Sequence, residues 1–117
     1  MKRLLYLAVL VLILVSCKKE PTTGDLFVST EYDGVGEENV EVWLYESYDK
    51  LMDLEYLERQ FSNEFGEVNF YDLEAGWYMV EAEKIKSSLF KVYAWDSVEI
   101  RAGKKTNKIL ILSPVDK

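Results

Sequence analysis

The sequence predicts an all-β fold, a β-sandwich of about seven strands in which each sheet keeps one face for the core. Two observations carry this. The stretch Ser62 to Glu83, SNEFGEVNFYDLEAGWYMVEAE, holds strand alternation and turn chemistry in one run. In it, Val68 and Phe70 oppose Asn69 and Tyr71, and Tyr78, Val80 and Ala82 oppose Trp77, Met79, Glu81 and Glu83. Elsewhere, short apolar-alternating runs return about every ten residues between Gly-, Asn- and Ser-bearing turns, which is the spacing of a sandwich.

The N-terminus reads as a processing signal. Lys2 and Arg3 form a basic start, and Leu4 to Val15 carries no charged side chain but is too short to span a bilayer as a helix. The run closes in Leu14-Val15-Ser16-Cys17, which resembles the bacterial lipobox. The resemblance implies cleavage after residue 16, diacylglycerol and an acyl chain on Cys17, and attachment to a membrane through that lipid. Lys18 is not the aspartate that marks inner-membrane retention in enterobacterial lipoproteins, so the resemblance points to the outer membrane, with either leaflet open.

Cys17 is the only cysteine, so the exported domain has no disulfide and rests on packing. Removal of residues 1–16 takes away Lys2 and Arg3, the only charges there, and carries the formal charge from −7 to −9. That balance argues against nucleic acid and against anionic lipid headgroups as electrostatic partners, and reads as a charge that keeps the tethered domain standing off the membrane.

Residues 17–24 read as the lipidated cysteine and a polar tether with Pro21 and Gly24; a coil of seven residues, 18–24, reaches about 15 Å. Residues 25–117 remain as one domain, large enough to bury roughly 60–65% of its unfolded surface.

Asp25 to Tyr32 is a strand by its β-branched and aromatic content, closed by the turn Asp33-Gly34-Val35-Gly36. Val40, Val42 and Leu44 alternate with Glu41, Trp43 and Tyr45 in a second strand. Tyr48 to Tyr56 reads as a loop with one helical turn, and Leu57, Arg59 and Phe61 as a third strand joined by a hairpin at Asn63 to Gly66. After Glu83, Lys84 to Lys91 reads as an exposed loop, Phe90 to Ala94 as a short strand, and Ser97 to Arg101 as another. Ile109 to Leu112 is an apolar closing strand guarded by Lys104, Lys105, Lys108 and Pro114. The shared inward phase predicts a core of Val42, Leu44, Val68, Phe70, Leu73, Tyr78, Val80 and Ile111.

From about Val40 to Leu112 the order of elements resembles the transthyretin-like (carboxypeptidase regulatory-like, prealbumin-like) and collagen-adhesin B-type domains. The residues that carry it are the polar turn Asn63 to Gly66, then Val68 and Phe70, Leu73, and Gly76-Trp77-Tyr78-Met79-Val80-Glu81-Ala82, with Gly103 and the closing apolar strand behind. The resemblance implies a Greek-key sandwich of immunoglobulin-like shape. Ser62-Asn63 stands where the family usually has Thr-Asp, with the same hydrogen-bonding chemistry.

The chain has no histidine, which removes His-based triads, common zinc sites and the hydroxyisourate-hydrolase branch of that family. Ser88-Leu89-Phe90-Lys91 matches Ser-x-x-Lys but lacks the larger domain and companion motifs of penicillin-recognising enzymes. Glu31, Asp33, Glu37, Glu38 and Asn39 crowd one loop whose oxygens could hold Ca²⁺, but the spacing matches no calcium loop and the preferred reading is a solvated acidic hairpin. The isopeptide crosslink of some adhesin domains lacks its amine, because Asp25 to Tyr32 has no lysine to meet Asn107.

No enzyme chemistry, cofactor or metal is expected. The expected site is an outward face of Trp43, Tyr45, Tyr71, Trp77 and Met79, open to a glycan, a peptide or an envelope protein; covered by the 48–56 segment or the N-terminal strand, the same residues form a satellite core. Two roles follow, a non-catalytic binding module or a spacer of an envelope complex with no ligand of its own.

Overall fold

The computed structural model describes residues 20–116; the expected signal peptide, Cys17, Lys18 and Lys19 lie outside the described residues. Among the described residues, nine strands and one short helix follow in order: β1 Thr23–Tyr32, β2 Val35–Gly36, β3 Glu41–Tyr45, α1 Tyr48–Met52, β4 Glu58–Phe61, β5 Glu67–Glu74, β6 Gly76–Ile85, β7 Phe90–Ile100, β8 Lys105–Ile111 and β9 Ser113–Asp116. They form two sheets packed face to face. In one, β1 pairs antiparallel with β2 and β5 and parallel with β8; the other runs β4-β3-β6-β7-β9, antiparallel throughout.

Period-two alternation fills the space between the sheets. Leu26 and Val28 of β1, Val68, Phe70 and Leu73 of β5, and Leu110 and Leu112 meet Val42 and Leu44 of β3, Tyr78, Val80 and Ala82 of β6, and Val92, Val98 and Ile100 of β7. Phe70 and Leu73 can both face inward, although three residues apart, because the β1–β5 register shifts by one between them and Asp72 takes a positive φ of 56°. Asp25 Oδ1 accepts from the Asp72 amide at 3.0 Å and pins that bulge.

The 63–66 turn follows its sequence chemistry. Asn63 Oδ1 accepts from the amides of Phe65 at 2.9 Å and Glu67 at 3.0 Å, and Gly66 has φ 82°. It joins the two sheets, though, rather than closing a hairpin, since β4 pairs with β3 and β5 with β1. Two anchors impose the crossing: buried Ser62 Oγ holds the Val40 amide at 2.9 Å, and Thr30 donates its amide and its hydroxyl to Gly66 O at 2.7 and 2.9 Å.

Three other expectations are corrected. Ile111 is 62% exposed, because β8 pairs only with β1 among the described residues and alternates like any half-covered strand, turning Leu110 and Leu112 inward and Ile109 and Ile111 out. Lys84 to Lys91 is a loop only at 86–89. Lys84 and Lys91 ride on strands instead, 2.9 Å from Glu37 and 3.1 Å from Glu83, so polarity there marks a solvated strand face, while Lys86 at the start of the loop also reaches Glu37 at 2.9 Å. Phe90 to Ile100 is one strand, in register with β6 from Gly76↔Ile100 to Ile85↔Lys91. The tether is also shorter than expected, since β1 starts at Thr23 and Thr22 O already accepts from the Ala75 amide at 3.3 Å.

Candidate functional site

The outer face of the second sheet is laid out by register. In one row Trp43 of β3, Glu81 of β6 and Trp95 of β7 stand side by side; the row on one side holds Glu41, Glu83 and Tyr93, and the row on the other Tyr45, Met79 and Ser97. A carboxylate thus lies between two indoles on adjacent strands, within cross-strand side-chain reach.

Glu81 is held from both sides. Tyr45 Oη donates to Glu81 Oε1 at 3.0 Å, and Tyr93 Oη donates to Glu81 Oε2. Burial, and then the hydrogen bond and negative charge of Glu81, push both phenols well above the ordinary tyrosine range. The pair therefore stays protonated and donating at any physiological pH, and fixes the carboxylate in the plane of the face.

The 48–56 segment covers one half of this face. Ser47 Oγ accepts from the Lys50 amide at 3.2 Å and starts α1, whose Leu51 packs into a satellite core with Tyr45 and Met79, against which Trp43 leans. Beyond α1 the chain returns along the sheet edge, and a cleft of about 350 Å³ opens among Trp43, Tyr45, Leu54, Tyr56, Glu81 and Glu83. Next to it Arg59 pairs with Glu41 at 3.1 Å while its guanidinium lies 6.0 Å from the Tyr56 ring centre and 5.9 Å from that of Phe61. Ring faces, two carboxylates and a guanidinium at one solvent-open cleft suit a polyhydroxylated ligand with apolar C–H faces.

The five residues expected to form one face are separated. Trp43 lines the cleft; Tyr45 and Met79, 2% and 9% exposed, lie beneath α1. Tyr71 is exposed but belongs to β5, in the other sheet, because the 63–66 turn changes sheets. Trp77 is 64% exposed at the end of the sandwich, on the wall of two further hollows of about 410 and 570 Å³. Sequence reasoning missed Tyr56, Glu81, Tyr93 and Trp95. The readable signal was the outward phase of Glu81 with Trp77 and Met79; Tyr93 and Trp95 were hidden by splitting β7 into two strands.

The acidic loop does not gather around a cation. Glu37 turns back to Lys84 and Lys86; burial pushes its carboxyl up, but the two ammoniums outweigh this and hold it below the usual carboxylate range. Among the described residues no group of three or more His, Cys, Asp or Glu side chains converges as a metal site would require.

No family model matches the chain, and no curated protein matches it in sequence. Solved structures do match its fold. One is PA1324 of Pseudomonas aeruginosa, provisionally described as carbohydrate-binding, at TM-score 0.58 and 10% identity over 83% of this chain and 93% of that one. Another is GBS52, the minor pilin of Streptococcus agalactiae, at TM-score 0.56 and 17% identity over 86% of this chain and 49% of the pilin chain. At these identities the likeness is one of fold, a two-sheet β-sandwich.

Proposed function

We propose that this chain is a lipid-anchored cell-envelope protein of the outer membrane, whose transthyretin-like sandwich is a non-catalytic module that binds a glycan through the outer face of the β4-β3-β6-β7-β9 sheet. The observation that carries the reading is Glu81, fixed by the Tyr45 and Tyr93 phenols between Trp43 and Trp95 at the edge of an open cleft. Indole faces stack on sugar C–H faces, while the lone pairs left on the fixed carboxylate accept from ring hydroxyls. Both Glu81 oxygens already hold a phenol, so the carboxylate serves as a positioned acceptor and not as a free acid or base. The carbohydrate-binding description of PA1324, on the same fold, agrees with the reading. The lipobox at Cys17 supports the anchor, with diacylglycerol and an acyl chain as its covalent lipid.

The test is a glycan-binding screen of the mature protein in detergent, with Trp95→Ala and Glu81→Gln alongside. Saturable binding to a defined glycan, lost in Trp95→Ala in protein that still unfolds cooperatively, is the expected result. Absence of binding across the screen, with capture of one envelope protein by the wild type and by Trp95→Ala alike, would transfer the role to a spacer or accessory domain.

A further inference from the structure

We infer that the end of the sandwich formed by Trp77 and the 101–105 turn docks on the anionic headgroups of the bilayer in which Cys17 is anchored; this rests on the lipid anchor proposed above. The chain enters the fold at this end. Thr23 O accepts from the Gly103 amide at 2.9 Å, Thr22 O from the Ala75 amide at 3.3 Å, and Pro21 lies so close to Gly103 that a Cβ there would fall 2.9 Å from Pro21 Cγ. Only three residue steps separate Glu20 from Cys17, a reach of at most about 11 Å when fully extended. The lipid therefore holds this end, and not the opposite one at the 86–89 loop, against the membrane.

The chemistry of the end matches that position. Trp77 is 64% exposed, has no part in the core, and is the kind of ring that settles at a headgroup interface. One wall of the hollow of about 570 Å³ beside it carries Arg101, Lys104, Lys105 and Lys108. Lys108 is paired with Asp96 at 2.5 Å and Arg101 with Glu99 at 3.2 Å, while Lys104 has no ion pair among the described residues and Lys105 lies over the Phe27 ring at 4.9 Å. The local sign is thus positive on a mature chain of formal charge −9, a reversal that a negative surface reads as orientation: the acidic body is pushed away and the basic turn drawn in. On the far side of Trp77, Glu46, Asp72 and Glu74 line the other hollow. They are repelled, so the domain tilts toward the 101–105 turn.

The experiment uses the mature lipoprotein, its acylation verified by mass, reconstituted in phosphatidylcholine vesicles with and without phosphatidylglycerol. The diacylglycerol thioether on Cys17 leaves an introduced thiol as the only free one, so Ala102→Cys and, at the opposite end, Ser88→Cys each take a polarity-sensitive fluorophore. The label at 102 is expected to shift to the blue in phosphatidylglycerol vesicles and the label at 88 to report water in both. Lys104→Glu with Lys105→Glu is expected to lower the docked-to-free ratio roughly tenfold or more, and added salt to do the same. An acylated protein whose label at 102 reports water in both vesicle types, or is unmoved by the charge reversal, overturns the docking alone. A protein carrying no lipid on Cys17 overturns the anchor and the docking with it.

Discussion

The ring of Tyr48, in the first turn of α1, lies 6.1 Å from the ring of Trp95 on β7, with their planes tilted by 49°. Tyr48 leaves the chain after β3 and Trp95 belongs to β7, so the contact carries α1 across the intervening strand β6, and Met79 of β6 is roofed as a result. Met79 and Trp77 share one phase of one strand yet differ in role. Met79→Ala is expected to cost on the order of 2–5 kcal/mol by cavity formation, whereas Trp77→Ala should stay within about 0.5 kcal/mol. Chemical denaturation of the two variants checks this; equal midpoints would mean that α1 does not cover the face in solution.

The same pair shows what was legible in the sequence. Alternation told inside from outside at Val42, Leu44, Val68, Phe70, Tyr78 and Val80, all of them buried, because a strand's period is fixed by its own backbone. It told nothing about which outward residues share a sheet. Tyr71 and Trp77 carry the same outward phase six residues apart, but the chain passes between sheets at 75–76, and only the pairing of β5 with β1 and of β6 with β3 and β7 reveals it. The site suffered most for this reason. Trp43 and Trp95 are set on either side of Glu81 by long-range register, which no local window contains. Ile111 failed differently: an all-apolar run reads as doubly buried, yet on an edge strand only every second residue is covered.

Gly66 is expected to be among the least replaceable residues. Its φ of 82° strains any L side chain, and a Cβ there would lie 2.4 Å from Thr30 O and 2.7 Å from the Glu37 amide nitrogen, both backbone atoms that cannot swing aside. Gly66→Ala should lose several kcal/mol, more than the roughly 1 kcal/mol expected when Asn63→Ala removes the side-chain acceptor of the same turn. Thermal unfolding of both variants orders the two effects, and the reverse order would refute the turn geometry.

The Glu37 cluster makes a prediction in acid. Its folded carboxyl titrates below the ordinary value of 4.5, so its contribution is present in full above that pH and is lost as pH falls through the lowered folded value. The carboxylate is partly buried at 15% exposure, and the pairs with Lys84 and Lys86 are each 2.9 Å long, for which about 0.5–1 kcal/mol is a reasonable scale. Glu37→Gln should lower stability at neutral pH by that amount and flatten the acid limb of the stability curve. An unchanged acid limb would show the ammoniums to be solvated instead of paired.

The phenols on Glu81 make the opposite prediction in base. Tyr45 and Tyr93 have folded values raised above the ordinary 10.0, first by burial and then by Glu81, so the unfolded chain ionises while the folded one stays neutral. Stability is therefore complete below pH 10 and falls as pH rises beyond it, with a limiting slope of about 1.4 kcal/mol per pH unit for each tyrosine. Tyr78 is also raised, by burial first, and donates to Glu74 O at 2.6 Å, so part of the slope survives in Tyr45→Phe/Tyr93→Phe. Glu81→Gln leaves both phenols in place but removes the charge, and its amide nitrogen cannot accept the second hydroxyl. That variant should bring the phenols back toward their ordinary range, advancing tyrosinate absorbance in the folded protein to lower pH and reducing the alkaline slope. Native tyrosinate that forms at the same pH in wild type and Glu81→Gln would mean that the carboxylate is not held by the two phenols, and the fixed acceptor on which the proposed glycan binding rests would be absent.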